Sequence, residues 1–280
     1  MKCDLHSHSI HSDGSATPAE LVAMAKEQGL IIALTDHNTV SGLHDFLEEA
    51  EKSGVIAVGG TELSCNHDER EFHLLGLFVA PEHYESVEAL VSKFYILKQK
   101  SVVDLIERLN AAGYKVDYAS AYKRTINGNV NRAHIAAELL EEGYVSSVTE
   151  AFETVLSKEG GFYVQPERLE LIDAIRFLRS IKALPILAHP LKEISADQLC
   201  DMLPALKEAG LLGIETMHSS YSDEDIAISK EIASKYSLLQ SGGSDYHGAA
   251  KPDVCLGTGK GNLDIQDTLY YDLLRASESL

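Results

Sequence analysis

The chain has 280 residues, 45% of them hydrophobic, enough to bury a large core in one domain or in one domain carrying an insertion. A formal charge of −19 excludes a surface that neutralises a long polyphosphate backbone, so long nucleic acids are not expected partners. No apolar run approaches the roughly 20 residues that span a bilayer, and Met1-Lys2-Cys3-Asp4-Leu5-His6 lacks the apolar stretch of a secretory signal, so a cytoplasmic protein with no membrane partner is expected.

Apolar strand-like runs alternate with helical patterns, which predicts an α/β architecture with a largely parallel sheet. The first run is Lys2 to His6. A helix follows from Thr17-Pro18-Ala19-Glu20, with Thr17 as cap, Pro18 at the first helical position and Glu20 as the reciprocal cap, and it ends at Gly29. Next come a strand at Ile31 to Thr35, a helix from about Ser41 to Gly54, and strands at Val55 to Thr61 and Phe72 to Phe78. From about Glu82 to Pro166 the alternation lapses into helices, a long one at Ser86 to Ala112 and shorter ones at Arg132 to Glu142 and Ser147 to Ser157, as an inserted helical subdomain would read. Regular units resume near Leu169, with strands at Leu184 to Ala188, Leu212 to Thr216 and Leu238 to Gly242. Cys3, Cys65, Cys200 and Cys255 are scattered without C-x-x-C spacing, so neither a disulfide framework nor a thiolate zinc site is expected.

Chemistry emerges when polar residues are placed against the strands. His6 and His8 follow the first strand's apolar start, and i, i+2 spacing in extended chain puts both imidazoles on one face, suited to chelation. Asp36-His37 closes the second strand, Glu62 the third, His189 the fifth and Asp245 with His247 the seventh, while His73 lies at the start of the fourth. Active sites of barrels and open α/β sheets assemble at the carboxyl ends of strands, so these side chains are expected on one rim. N and O donors without thiolates fit Zn, Mn or Fe at a catalytic, water-accessible site better than a closed structural zinc. Bound cations would also reverse the field in one cleft and let an acidic protein take a small phosphorylated substrate. Asp36 is expected to orient a ligand or cap the following turn. His11, His44, His67 and His83 are expected to face solvent, and Gly242-Gly243 reads as a tight turn beside the site.

The motifs Asp4-Leu5-His6-Ser7-His8-Ser9 with Ser12-Asp13-Gly14, Thr35-Asp36-His37-Asn38-Thr39, Gly60-Thr61-Glu62, Phe72-His73, Ala188-His189-Pro190 and Gly243-Ser244-Asp245-Tyr246-His247-Gly248 occur in this order. With them the chain resembles the PHP (polymerase and histidinol phosphatase) family of metal-dependent phosphoesterases over nearly its whole length, and within it the small stand-alone phosphatases with a helical insertion. The resemblance implies a distorted (β/α)7 barrel over residues 1–81 and 167–280, a substrate-capping helical insertion over 82–166, and two to three divalent ions. It implies that His6, His8, Glu62 and Asp245 hold the first ion, that Glu62 bridges to a second held by His73 and His189, and that Asp13, His37 and His247 hold a third. A carboxylate between two dications offsets part of their repulsion. Asn38 stands where an Asp is often found, which bears on substrate or subgroup. Val130-Asn131-Arg132-Ala133-His134-Ile135-Ala136 resembles a substrate-side motif, making Arg132 a phosphate grip and His134 a phosphate ligand or proton donor, and His218 is a further substrate-side candidate.

The expected activity is hydrolysis of a small phosphate ester by metal-activated hydroxide, on a nucleotide or phosphosugar monoester or a small cyclic phosphodiester. The alternatives are a 5'-3' exonuclease on short oligonucleotides and a non-catalytic metal-binding protein. Nothing in the sequence speaks to oligomeric state.

Overall fold

Lys2–Asp4 form β1 in the computed structural model of the protein, which describes residues 1–125, 130–157 and 159–280. There follow α1 (Pro18–Gln28), β2 (Leu30–Leu34), α2 (Leu43–Ser53), β3 (Ala57–His67), β4 (Arg70–Leu77), then α3 (Tyr84–Ala111), α4 (Tyr118–Lys123), α5 (Arg132–Glu141) and α6 (Val148–Glu153). The chain continues through α7 (Leu171–Ser180), β5 (Leu184–Leu187), α8 (Pro190–Glu193), α9 (Ala196–Ala209), β6 (Gly213–His218), α10 (Asp223–Lys235), β7 (Leu239–Gly243) and α11 (Thr268–Ser277). Each expected strand is present. The Thr17–Glu20 capping box forms, and Gly29 ends α1 in the left-handed region at φ 64°.

The strands make a seven-stranded sheet in sequence order. All neighbours are parallel except β4, which runs antiparallel to both β3 and β5. That reversal has a local cause. β3 and β4 are a hairpin turned at Asp68 and Glu69, whose φ values of 50° and 64° match the primed turn that suits strand twist. The amino-terminal half of β4 therefore lies beside the carboxyl ends of its parallel neighbours, with His73 opposite Ser64.

β1 and β7 close the sheet into a nearly complete (β/α)7 barrel. The Leu5 N–H donates to the Gly242 carbonyl at 3.0 Å, the Asp245 N–H to that of His6 at 2.9 Å, and Ser7 bridges Tyr246. Gly242 and Gly243 end β7 rather than forming the expected tight turn, and the reason is steric: a Cβ on Gly243 would lie 2.4 Å from the His6 Cβ. The buried Asp4 carboxylate seals this seam by accepting the N–H groups of Ser244 (2.9 Å) and Gly257 (2.7 Å).

Every residue of β2, Leu-Ile-Ile-Ala-Leu, is buried, as expected of a strand covered on both faces. Alternate side chains, among them Ile31, Ala33, Leu75, Leu184 and Ile186, join one apolar cluster with Leu273 of α11. Burying each large aliphatic side chain contributes about 1.5–3 kcal/mol.

By internal contacts the chain forms two units, Met1–Ala89 with Leu169–Leu280, and Leu90–Arg168. The first boundary falls inside α3, several residues beyond the expected 82. Early α3 belongs to the barrel because Val87 is buried and the Glu88 carboxylate accepts the Thr39 hydroxyl and the Val40 N–H, each at 2.8 Å.

The regular elements described in the second unit are all helices, α4 being a short helix not anticipated, capped by Asp117. Its core joins Leu105 and Leu109 of α3 to Ile135 and Leu139 of α5 and Ala151 of α6. The Asn110 side chain both donates to and accepts from the backbone of Val116, at 2.9 and 3.0 Å, which fixes the turn after α3. Buried Glu138 accepts from Arg124 Nε at 2.7 Å.

Candidate metal centre

The i, i+2 pattern after β1 works as the pleat requires. Ser7 turns away and its hydroxyl donates to the Ala33 carbonyl at 2.6 Å, leaving His6 and His8 together, both fully buried. His6 Nε2 and His8 Nε2 each stand 3.2 Å from Glu62 Oε2, and His8 Nε2 is also 3.2 Å from Asp245 Oδ1. These four side chains form one group able to hold a cation.

His8, Asp13, His37 and His247 form a second. His247 Nε2 lies 3.2 Å and His37 Nε2 3.8 Å from the Asp13 carboxylate. The loop bearing Asp13 is tied down by Asp36, whose carboxylate accepts the Ser9 N–H (2.7 Å), the Ser9 hydroxyl (2.7 Å) and the Ser12 hydroxyl (2.6 Å). Asp36 thus holds the turn and belongs to none of the three groups.

The third group is His37, Glu62 and His73. Glu62 Oε1 is 2.9 Å from His73 Nδ1 and 3.2 Å from His189 Nε2, while Oε2 is 3.0 Å from His37 Nδ1. Glu62 belongs to two of the three groups, and the one containing His73 holds His37 where the resemblance implied His189. Two details go beyond the implied pattern, because His8 also faces Asp13 (Nδ1 to Oδ1, 3.8 Å) and His37 reaches Glu62 as well as Asp13. Two of these residues occupy backbone that non-glycine residues rarely adopt, His189 at φ 29° and Asp245 at φ 57°, a form of strain that concentrates at functional sites.

Sequence reasoning missed Glu215. This fully buried side chain on β6 places Oε1 3.1 Å from His6 Nδ1 and accepts the His189 N–H on Oε2 at 2.8 Å. Its only signal in the sequence is a strand-borne Glu three residues before His218. Lys251 was missed too, and its ammonium stands 2.6 Å from Asp245 Oδ2.

The electrostatics follow from carboxylates and imidazoles buried side by side. Burial alone would raise the Glu62 carboxyl, but His6 and His37 outweigh it and hold the group well below the usual carboxylate range. Asp245 is likewise depressed, by His6, His218 and His8 against burial. Burial opposes charge on His6 and His8, yet the facing carboxylates raise both. His73 is raised to about 9, its burial outweighed by Glu62 and Glu71. In His189 burial wins, which lowers its pKa and favours the neutral imidazole.

The donor set fits divalent cations. Among the described residues, His6 Nε2, His8 Nδ1 and Nε2, His37 Nδ1 and Glu62 Oε2 are buried with no hydrogen-bond partner. They approach one another at hydrogen-bond distances without hydrogen-bond geometry, as lone pairs aimed at a common point do. Orphaned buried polar atoms are costly, and buried charges are paired or coordinate metals.

The remaining candidates, His218, Arg132 and His134, belong to none of the three groups. His218 is buried beside the centre with Nε2 3.3 Å from Asp245 Oδ2, and its Nδ1 contacts the Ser220 hydroxyl at 2.8 Å. Arg132 and His134 belong to the helical unit. The Arg132 guanidinium lies 4.1 Å above the Tyr163 ring and 5.5 Å from that of Phe152. His134 completes a capping box in which its Nδ1 accepts the Asn131 N–H at 3.1 Å. Of the histidines expected to face solvent, His11 and His44 are exposed and His67 and His83 are half-buried.

Residues 4–165 match the PHP domain. The chain belongs to that family. A 5'-3' exoribonuclease of Haemophilus influenzae is 31% identical over 270 residues, covering 96% of each chain. A phosphoribosyl 1,2-cyclic phosphate 1,2-diphosphodiesterase of Eggerthella lenta is 35% identical over 250 residues, covering 88% of this chain and 94% of its own. Among solved structures, a protein of Bifidobacterium adolescentis provisionally described as a metal-dependent phosphoesterase superposes with a TM-score of 0.68 at 25% identity, over 98% of this chain and 96% of that one. These alignments extend the likeness beyond the 4–165 match and through most of the PHP chain, including the half that carries His189, Asp245 and His247. No helix among the described residues is long and apolar enough to cross a membrane.

Proposed function

We propose that this metal-dependent phosphoesterase cleaves a compact phosphate ester, a nucleotide or phosphosugar monoester or a small cyclic phosphodiester, and that the helical unit selects it. The observation that carries this reading is a cavity of about 260 Å³ in that unit, lined by Lys98, Arg132 and Arg168 together with Phe152 and Tyr163. Cations converge there in a chain of net charge −19, and among the described residues no carboxylate pairs with Arg132 or Lys98. Positive groups over aromatic faces suit an anion attached to a ring. The volume falls below the roughly 300–1,000 Å³ typical of larger ligand sites, which favours a compact molecule.

In this reading His6, His8, Glu62 and Asp245 hold one divalent ion, Glu62, His73 and His189 a second, and Asp13, His37 and His247 a third, so that two to three Mn, Fe or Zn ions bind per chain. When bound, such ions lower the pKa of a water to supply the nucleophile and offset charge on the phosphoryl oxygens. The protein's own groups do the rest. Glu62 sits between imidazoles with both oxygens engaged and offers negative charge to both sides. Arg132 grips a non-bridging oxygen in bidentate fashion. Because His134 Nδ1 accepts the Asn131 N–H, the neutral ring carries its proton on Nε2 and can donate a hydrogen bond from there to a phosphoryl oxygen; to protonate the departing alkoxide the ring would have to take up a second proton at Nδ1 and release that bond. Asp245 stays ionised between His6, His8 and His218, and Lys251 holds its second oxygen. Free thiols at Cys3, Cys65, Cys200 and Cys255 suit the reducing cytoplasm.

A 5'-3' exonuclease acting on short oligonucleotides is the second reading, favoured by the similarity to the Haemophilus influenzae exoribonuclease. The non-catalytic alternative is set aside, since the relatives at 31% and 35% identity carry the names of phosphodiester hydrolases. Product analysis separates the two that remain. A phosphorylated nucleoside, a phosphosugar cyclic phosphate and a short RNA oligomer are offered in parallel to the metal-loaded protein. Turnover of either small ester well above the oligomer is expected, and turnover of the oligomer alone would replace this reading with the second.

A further inference from the structure

His6 and His189 follow β1 and β5, strands separated in the sheet, yet their rings are nearly parallel, with centroids 5.8 Å apart and planes 15° apart. The side chain common to both is Glu215. One of its oxygens faces His6 Nδ1 at 3.1 Å and the other accepts the His189 N–H at 2.8 Å. Both contacts lie in fully buried surroundings where water cannot substitute, since Glu215 and His6 are 0% exposed and His189 is 2% exposed. The local backbone is built to aim this carboxylate. The β6–β7 register slips between Glu215 and Met217, an irregularity that in strands beside active sites redirects a side chain. The receiving end is unusual as well, because the His189 N–H that Glu215 holds belongs to a residue at φ 29°, ψ 49°.

We infer that Glu215 is a positioning residue that touches no metal: it fixes His6 in the Nδ1–H tautomer, so that Nε2 is the free donor facing Glu62 and Asp245, and pins the strained backbone that turns His189 towards Glu62. An ionised carboxylate only accepts, so the ring nitrogen against it must carry the proton and the opposite nitrogen presents a lone pair. Carboxylates behind metal-binding histidines commonly act this way, and losing one weakens metal binding roughly 10- to 100-fold. Here one carboxylate serves two such histidines through its two oxygens. An amide in its place has a single acceptor oxygen facing two N–H donors. Glu215→Gln therefore frustrates either His6 or His189 whichever way the amide turns.

The inference rests on the metal reading above, and its test is built to separate the two. Zinc affinity is measured by competition with a chromophoric chelator on wild type and Glu215→Gln, alongside the urea midpoint of each zinc-free protein. The Zn-loaded wild type is also labelled with ¹⁵N-histidine. The expected result is roughly 10- to 100-fold weaker zinc binding in the variant, with a cooperative zinc-free transition retained, and a His6 ring carrying its proton on Nδ1 with zinc on Nε2 in the wild type. Wild-type zinc affinity in a folded Glu215→Gln overturns the inference and leaves the metal centre standing, as does lowered zinc-free stability with unchanged affinity, the mark of a merely structural role. Should Glu215→Gln fail to fold, the wild-type spectrum decides alone, and a His6 ring with its proton on Nε2 refutes the assignment. Absence of zinc binding by the wild type would refute the metal reading itself.

Discussion

His73 couples metal affinity to pH in a way that can be worked out in advance. Its pKa stands at about 9 with Glu62 and Glu71 beside it, against an ordinary value of 6.5, and its side chain is only 22% exposed. A cation taking His73 as ligand must displace that proton. Each pKa unit is worth about 1.4 kcal/mol, so at pH 7 the displacement costs about 3 kcal/mol, roughly a hundredfold in affinity. Zinc affinity at the position served by His73 should therefore rise roughly fiftyfold between pH 7 and pH 9, where half of the rings still hold the proton. Stability of the zinc-free protein should move the other way. A folded pKa raised above the unfolded one contributes stability that is full below about 6.5 and is lost as pH climbs through about 9. The assay is chelator competition at pH 7, 8 and 9, corrected for protonation of the chelator, with urea midpoints of the zinc-free protein at the same pH values. In His73→Ala both slopes should flatten. An affinity independent of pH, or a slope equally steep in His73→Ala, would refute the argument that Glu62 and Glu71 hold a proton there.

Glu62→Ala removes the oxygens that face His6, His8 and His37 on one side and His73 and His189 on the other, so elemental analysis should find two ions per chain disturbed together. A single ion in both forms would end the shared-bridge model. Arg132→Ala should lower kcat/KM by roughly one to three orders of magnitude, about 1.4 to 4 kcal/mol, without altering metal content; unchanged kinetics on every ester would remove Arg132 from the substrate site. His134→Ala should slow esters with poor alkoxide leaving groups far more than aryl phosphates, and equal losses would leave His134 a phosphate binder only. Gly243→Ala should destabilise the fold by about 1–3 kcal/mol, read from the urea midpoint, because its Cβ would meet His6 at 2.4 Å; a neutral result would show that the β1–β7 seam yields easily.

The strand-terminal residues were legible because their spacing carries geometry. A period of two in His6 and His8, and polar residues closing successive apolar runs, can point only to one rim. What stayed hidden depends on distances between strands. His37 stands between Asp13 and Glu62, and no pattern in the sequence says that its two nitrogens serve different carboxylates. Glu215 lies mid-pattern in β6, where a buried acid reads like any polar interruption until the slipped register aims it. The reversal of β4 turns on Asp68 and Glu69, neither of which is the Asn-Gly or Asp-Gly pair that announces such a turn. The boundary inside α3 is equally silent, since one continuous helical pattern crosses it and the contacts of Val87 and Glu88 show which residues belong to the barrel.

The tether formed by Asp36 on Ser9 and Ser12 uses no side chain of the three candidate groups. The loop carrying Asp13 is thereby held in shape by bonds that survive when a cation leaves, so ion exchange demands no refolding of that loop. A chelator should strip such a centre while leaving the barrel standing, and refilling should be limited by supply of the ion more than by rearrangement of the protein. Which divalent ion the centre carries then becomes a record of what the cell had most freely to offer when it was last filled.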